Sequence, residues 1–285
     1  MFVCKVENTK NEILRLTQNE SDFQVLSIQG LTPPNAQINT SKIAGLDGSI
    51  FNSSTMNERN IVITLKLRGN IEQNRINLYS FFRSKEWCKI YYQNDSRNVY
   101  IEGYAESIEC DLFTNKEIMQ ISILCPNPYF KGVSEIIDDV SKSQAAFVFP
   151  FAIDLPGIEF STMDSSRVTN VINNSDSETG VIIKIDVVGN CNTIQIKDIT
   201  TGGTFTLNHA FLEGDKIIID TNKGNKSVTL TREATTTNLF TKIKKGSTFF
   251  QLNVGDNFFS YLVDDGNNDD MIVVIFKHYV LYGGV

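Results

Sequence analysis

Imidazole is nearly missing from this chain, which has two histidines, His209 and His278, in 285 residues. Histidine triads and histidine-based metal cages are therefore poorly supplied. His278 sits inside the apolar run IFKHYV and reads as a packed core histidine. Five cysteines, Cys4, Cys88, Cys110, Cys125 and Cys191, are odd in number, widely spaced and without a CxxC. They frame neither a disulfide scaffold nor a zinc site and are expected as reduced, mostly buried thiols. No phosphate-cradling glycine loop and no GxSxG elbow occurs. A glycosidase carboxylate pair cannot be read from spacing, because the fold sets its separation. No enzyme activity and no cofactor is expected.

Long apolar runs are also lacking. None approaches the ~18 residues that cross a bilayer, and the opening MFVCKVENTKNE turns polar at once, so neither membrane insertion nor secretion is expected. Positive charge is in deficit, with 26 basic against 33 acidic residues and a net charge of −7, and no Lys/Arg stripe interleaves with aromatics. Tight binding to a phosphate backbone is not expected on that ground, and no sequence-specific nucleic-acid partner is expected. The acidic stretch DDGNNDD, 264–270, carries oxygen ligands that suit calcium but lacks the EF-hand spacing and closing Glu. It reads as a solvated hairpin tip, and no metal site is expected.

What is present is globular: 41% hydrophobic, 21% charged and 10% aromatic residues, at a length that suits two domains. The stretch CPNPYF, 125–130, marks the seam. Pro126 and Pro128 lack amide hydrogens and cannot continue a central strand, so the alternating run Met119, Ile121, Ile123, Cys125 must stop there. Boundaries follow at 1–130, a connector at 131–146, and 147–285. One helix is predicted in NIEQNRINLYSFFRSKE, capped by Asn70 with Gln73 reaching back, and with Ile71, Leu78 and Phe82 on one face. WCKIYYQ, NVYIEGYAESIECDLF and IMQISILC follow as an antiparallel meander.

The stretch 33–58 shows little periodicity yet carries Ile43, Leu46, Ile50 and Phe51, which water does not favour. It is read as an irregular loop that contacts a partner, the alternative being a loop that folds over its own core. The C-terminal part is strand-like throughout: VTNVIN, GVIIKIDVVG, NTIQIKDIT, TFTLN, KIIIDT, KSVTLT, TFFQLN, NFFSYLV and MIVVIFKHYV, with no helix between them. Short strands at this spacing predict an antiparallel sandwich of jelly-roll type. Gly214–Asp215 and Gly255–Asp256 read as two similar turns, with positive φ at the glycines.

Taken in order, GLTPPNAQINTSKIAGLDGSIFNSSTMNERNIVITLKLRG, SFFRSKEW, VYIEGYAESIECDLF, CPNPYFKG, FVFPFAIDLPGIEF, GVIIKIDVVGN, ITTGGTFTLN, GDKIIIDTNKGNKSVTL and LNVGDNFFSYLVDDG resemble the distal tail protein family of siphophage-type tails. The resemblance runs along nearly the whole chain and lies in the order and spacing of the segments rather than in any single motif.

It implies a mainly β, two-domain protein: an N-terminal α+β ring domain, a β-sandwich or split barrel with one helix, and a C-terminal galectin-like antiparallel β-sandwich. It also implies a homo-hexameric ring at the tip of the tail tube, with a central channel for DNA. Partners would be the tail tube protein, a tail-tip or tail-associated protein, and a receptor-binding or side-fibre protein on the C-terminal domain. The place would be the virion tail tip, after assembly in the host cytoplasm. Ile43, Leu46, Ile50 and Phe51 would then be subunit-interface residues. Pro126 and Pro128 would stiffen the exit to the outer domain, with Tyr129 and Phe130 anchoring it. The competing reading is a lectin-like adhesin for the host cell wall, with Tyr261, Phe258 or Tyr282 as the sugar platform.

Overall fold

A computed structural model of the protein describes residues 2–16, 22–45, 47–111, 117–139, 168–264 and 272–285. The chain divides into two compact units, Met1–Val133 with Leu281–Val285, and Ser134–Val280.

The first unit begins with β1 (Val3–Asn8), β2 (Ile13–Leu16) and β3 (Phe23–Gln29), then a ribbon of β4 (Ala36–Ser41) and β5 (Ile50–Met56), then β6 (Arg59–Leu67). Helix α1 (Ile71–Phe81) follows, then β7 (Trp87–Gln93), β8 (Asn98–Cys110), β9 (Ile118–Cys125) and the start of β10 (Phe130–Asp139), whose residues from Ser134 on belong to the second unit. Its strands are joined in the order β2-β1-β7-β8 and onward through β9 and β6 to β3. β8 carries the sheet around a bend: residues 98–104 pair with β7 and residues 104–110 with β9, with a bulge between Ala105 and Ser107. Gly103 stands where β9 crosses, and a Cβ there would lie 2.7 Å from the Cys125 sulfur. Alternation explains the core, because Cys4, Val6, Cys88, Ile90, Val99 and Ile101 point inward together with Ile61, Ile63 and Ile121.

Helix α1 forms where the spacing predicts it. Asn70 Oδ1 accepts from the Gln73 backbone N–H, but the Gln73 side chain bonds Asn77 instead of reaching back, so only half of the capping box forms. Leu78 and Phe82 are the buried contacts of this segment.

The second unit holds β11 (Thr169–Asn173), β12 (Thr179–Gly180), β13 (Ile182–Val187), β14 (Cys191–Asp198), β15 (Thr204–Phe211), β16 (Lys216–Asp220) and β17 (Ser227–Arg232). It continues with β18 (Thr235–Asn238), β19 (Gln251–Leu252), β20 (Gly255–Val263) and β21 (Ile272–Tyr282). One sheet runs β11-β20-β14-β15, and the facing one has β18-β17-β16-β13-β21 in order. All pairs recorded are antiparallel, as in a sandwich. Inward-facing Ile183, Ile185, Ile217, Ile219, Val228, Ile194, Ile196, Phe205 and Phe259 fill the space between the sheets. The Phe259 and Phe276 rings meet across it at 4.8 Å.

Several expectations are corrected. The stretch 33–58, read as irregular, contains β4 and β5. Both strands are exposed on both faces, so no alternation marks them in the sequence. The predicted connector begins inside β10, which takes up 131–139, while 140–146 lies outside the described residues. Strand β18 is extra, only Gln251–Leu252 of TFFQLN is strand, and a short 3-10 helix, Phe240–Lys242, interrupts the sandwich sequence. The glycines of the two similar turns do take positive φ, +89° at Gly214 and +92° at Gly255.

Candidate assembly surface

Among the described residues the ribbon β4–β5 has no core beneath it. Every described residue from 35 to 58 is exposed, and among the described strands these two pair only with each other. Isolated two-stranded hairpins are marginal in water, so such a ribbon invites support from another surface. Its register shows which face. Cross-strand partners point to the same side, and Ala36 pairs Met56, Ile38 pairs Ser54 and Thr40 pairs Phe51. One face thus carries Ala36, Ile38, Phe51 and Met56. The other carries Gln37, Asn39, Ser53 and Thr55, with Ile50 opposite Ser41 near the tip.

A β-bulge creates this sorting. Asn39 pairs Ser53 and Thr40 pairs Phe51, so Asn52 is the extra residue, and its amide bonds the Ser41 hydroxyl at 2.6 Å. Without the extra residue Phe51 would turn to the polar face. Ile38 is 62% exposed, Phe51 61% and Met56 43%, an apolar stripe on an uncharged ribbon.

The four residues singled out from the sequence therefore separate. Phe51 lies on the apolar face, Ile50 on the polar face, Ile43 in the tip connection, and Leu46 outside the described residues. Ile38 and Met56 were missed. Their only sequence signal is the two-residue spacing of Ala36 and Ile38, which is too short to stand out.

The ribbon is held at its root by Arg59, which is 2% exposed. Its guanidinium donates from Nε to the Pro128 carbonyl at 2.7 Å, from Nη1 to the carbonyls of Gly30 and Thr32, and from Nη2 to that of Gly283. The guanidinium also stacks 4.6 Å over the fully buried Phe130 ring. Burial lowers the Arg59 pKa, yet an arginine stays protonated at any ordinary pH. Gly30 has φ +84°, and a Cβ on it would lie 2.2 Å from the Asn60 carbonyl oxygen, so the strand into the ribbon passes where only glycine fits. An opening of about 300 Å³ borders this root, lined by Gly30, Thr32, Pro33, Glu58 and Arg59 among others.

Two of the residues expected at the seam meet this clamp, Pro128 through its carbonyl and Phe130 through its ring. Pro126 is exposed, Pro128 and Tyr129 are half-buried, and Phe130 belongs to the core of the first unit. The Tyr129 amide bonds Asn127 Oδ1 in a local turn. Arg59 itself was not singled out from the sequence, because its four acceptors come from three distant segments.

The remaining candidates gather no reactive cluster. Tyr261 is 2% exposed, Tyr282 is half-buried beneath the Arg97 guanidinium, and Phe258 alone of the three platform rings is exposed, at 41%. In the second unit His278 has a buried side chain with Nδ1 3.9 Å from Asp138 Oδ2, too long for a hydrogen bond. Burial lowers the imidazole pKa and raises that of Asp138. All five cysteines are free, and all but Cys110 are buried. Among the described residues no group of three or more His, Cys, Asp or Glu could hold a metal. Most of DDGNNDD, 265–270, lies outside them. No described helix is long and apolar enough to cross a membrane.

Residues 15–125 match the phage tail protein RIFT-related domain, and residues 174–278 match the C-terminal domain of the siphovirus-type tail component. These matches make the chain a phage tail component. Within that class it belongs to the siphophage distal tail protein family. Among solved structures, the SPP1 Dit protein, described as a hub of the adsorption apparatus in phages infecting Gram-positive bacteria, aligns at TM-score 0.70 and 12% identity over 98% of this chain and 99% of that one. Chains of the phage P2 baseplate in its activated conformation, with calcium and with strontium, align at TM-scores of 0.53 and 0.51, with 12% and 13% identity and 98% of each chain covered. At these identities the likeness is one of fold. A sequence comparison with curated proteins returned no match.

Proposed function

We propose that this protein is the structural hub at the distal end of a phage tail, joining the tail tube to the tip and receptor-binding apparatus. The first unit builds a ring around a channel through which DNA passes, and the second unit presents a sandwich to tail-tip or receptor-binding proteins. The ring size of six rests on the family resemblance. The tail tube protein and a tail-tip protein are the neighbours on the two sides of the ring.

One observation carries the assembly part of this reading: an uncharged ribbon, exposed along its whole length, that sorts Ile38, Phe51 and Met56 onto one face. A ribbon docking on the next copy by the same rotation each time closes into a ring. Light scattering and negative-stain images of the full chain test it. Rings are expected from the native sequence, and Ile38→Asp combined with Phe51→Asp should leave folded monomers, because a buried contact then receives unpaired charge. A native chain that stays monomeric at high concentration refutes the reading.

A further inference from the structure

We infer that the ribbon's apolar face docks, in the next copy of this chain, on a depression in the outer face of the sheet β2-β1-β7-β8-β10. This rests on the ring reading above and adds the acceptor to it.

The depression has a volume of about 270 Å³ and is walled by Val3, Ile13, Tyr91 and Val133, with Lys5, Gln93 and Asn98 at its rim. Pairing explains why these residues meet. Val3 lies opposite Gln93, Lys5 opposite Tyr91, and Gln93 opposite Asn98, so they share the side away from the core. Val133 follows two residues after Lys131, which faces Tyr100. Ile13 is 61% exposed and Val133 42%, large apolar groups left in water on both sides of one hollow. Among the described strands β2, which brings Ile13, pairs only with β1.

Two arguments select a second copy's ribbon as the occupant. The first is charge. β4 and β5 contain no ionisable side chain; of the charges beside the hollow, Lys5 stands at the rim, where a long stem can keep its ammonium in water, and Glu7 and Lys89 have local partners. Glu7 accepts from the Tyr91 hydroxyl at 2.8 Å, and the Lys89 ammonium sits 3.8 Å over the Tyr100 ring. The ribbon can cover this face without stranding a charge, which a charged partner segment would risk. The second is geometry. The ribbon is exposed throughout, so it does not occupy the hollow of its own chain, and a donor and acceptor at different places on one surface make a head-to-tail contact. A ribbon of two strands laid on a sheet face can approach the ~1,000 Å² that a specific interface needs, with Phe51 as the aromatic anchor in the hollow.

The test uses the full chain. Ile13→Asp and, separately, Val133→Asp should each convert rings to monomers by light scattering with an unchanged melting temperature, since both sites are exposed in the monomer. Ile76→Asp, an apolar site on α1 about as exposed as Val133, should leave rings intact. The double variant Ile13→Cys with Phe51→Cys should give, on mild oxidation, a ladder of covalent multimers that neither single variant gives. If Phe51→Asp breaks the ring while Ile13→Asp and Val133→Asp do not, the acceptor is wrong and the ring reading stands. If the native chain is monomeric, both fall.

Discussion

Replacing Arg59 by Met removes every hydrogen bond of the clamp while keeping an unbranched apolar stem against Phe130. The native guanidinium serves carbonyls of Gly30, Thr32, Pro128 and Gly283, and each charge-assisted bond is worth ~1.5–3 kcal/mol. The full loss would not appear. Gly30 and Thr32 line the opening at the ribbon root, where water can replace the lost donor. Pro128 and Gly283 carry most of the penalty, which sets the expected destabilisation at about 3–5 kcal/mol. Arg59→Lys keeps the charge but loses the planar fork and the stacking, and should cost about 2 kcal/mol.

The chain has its own reporter for this measurement. Its single tryptophan, Trp87, opens β7 in the first unit, so fluorescence-detected urea unfolding follows that unit alone. With a slope of about 2 kcal/mol/M, Arg59→Met should lower the midpoint by roughly 1.5–2.5 M. A midpoint within about 0.3 M of the native value would show that the four carbonyls are re-solvated at no cost, and the clamp would lose its role.

Two further outcomes are expected. Asp215 is 1% exposed and accepts a fork from Arg232 at 2.8 and 2.7 Å and the Leu212 amide at 2.9 Å. Arg232 above all, then that amide, holds its carboxyl below the usual range. Its contribution is thus complete above the unfolded value of about 3.9 and is lost as pH falls through the folded value. Arg232→Gln should flatten that acid limb in far-UV circular dichroism, by a small amount because Arg232 is 39% exposed and water screens the pair, and an unchanged limb would contradict the assignment. Burial pushes the thiols of Cys4, Cys88 and Cys125 up to about 12 and that of Cys191 up to about 11. A thiol reagent at mildly alkaline pH should therefore reach only the half-buried Cys110 before unfolding, and fast labelling of a second cysteine would refute this.

Where a core lies beneath an element, the sequence shows it. Ile183 and Ile185, or Ile217 and Ile219, alternate because one side of each strand faces the sandwich interior. Leu78 and Phe82 recur at helical spacing for the same reason. β4 and β5 escaped because both their faces meet solvent, so nothing imposes a period of two on AQINTS or IFNSSTM. The bulge at Asn52 is invisible for a related reason: only the pairing register reveals that one residue is extra, and that register decides which apolar side chains share a face. Ile50 and Phe51 are neighbours in sequence and look equivalent, yet they point to opposite sides. Arg59 was unreadable because its partners lie 27, 29, 69 and 224 residues away.

The clamp and the ribbon also explain each other. A ribbon without a core must be ordered at its base or lose affinity when it docks, since fixing backbone costs ~1–2 kcal/mol per residue. Arg59 begins β6 just beyond the ribbon and takes its acceptors Gly30 and Thr32 just before it, so one side chain fixes both roots. The same side chain holds Pro128 at the seam and Gly283 in the C-terminal segment, where the Val285 amide bonds the Leu31 carbonyl at 3.0 Å and Gly284 packs against Pro33. A single buried cation bonded to carbonyls thus ties both roots of the ribbon, the Pro128 turn and the C-terminal segment together within the first unit. Apolar packing could bury these segments together, but it would not set their angles, because dispersion is not directional in the way a planar fork of N–H donors is.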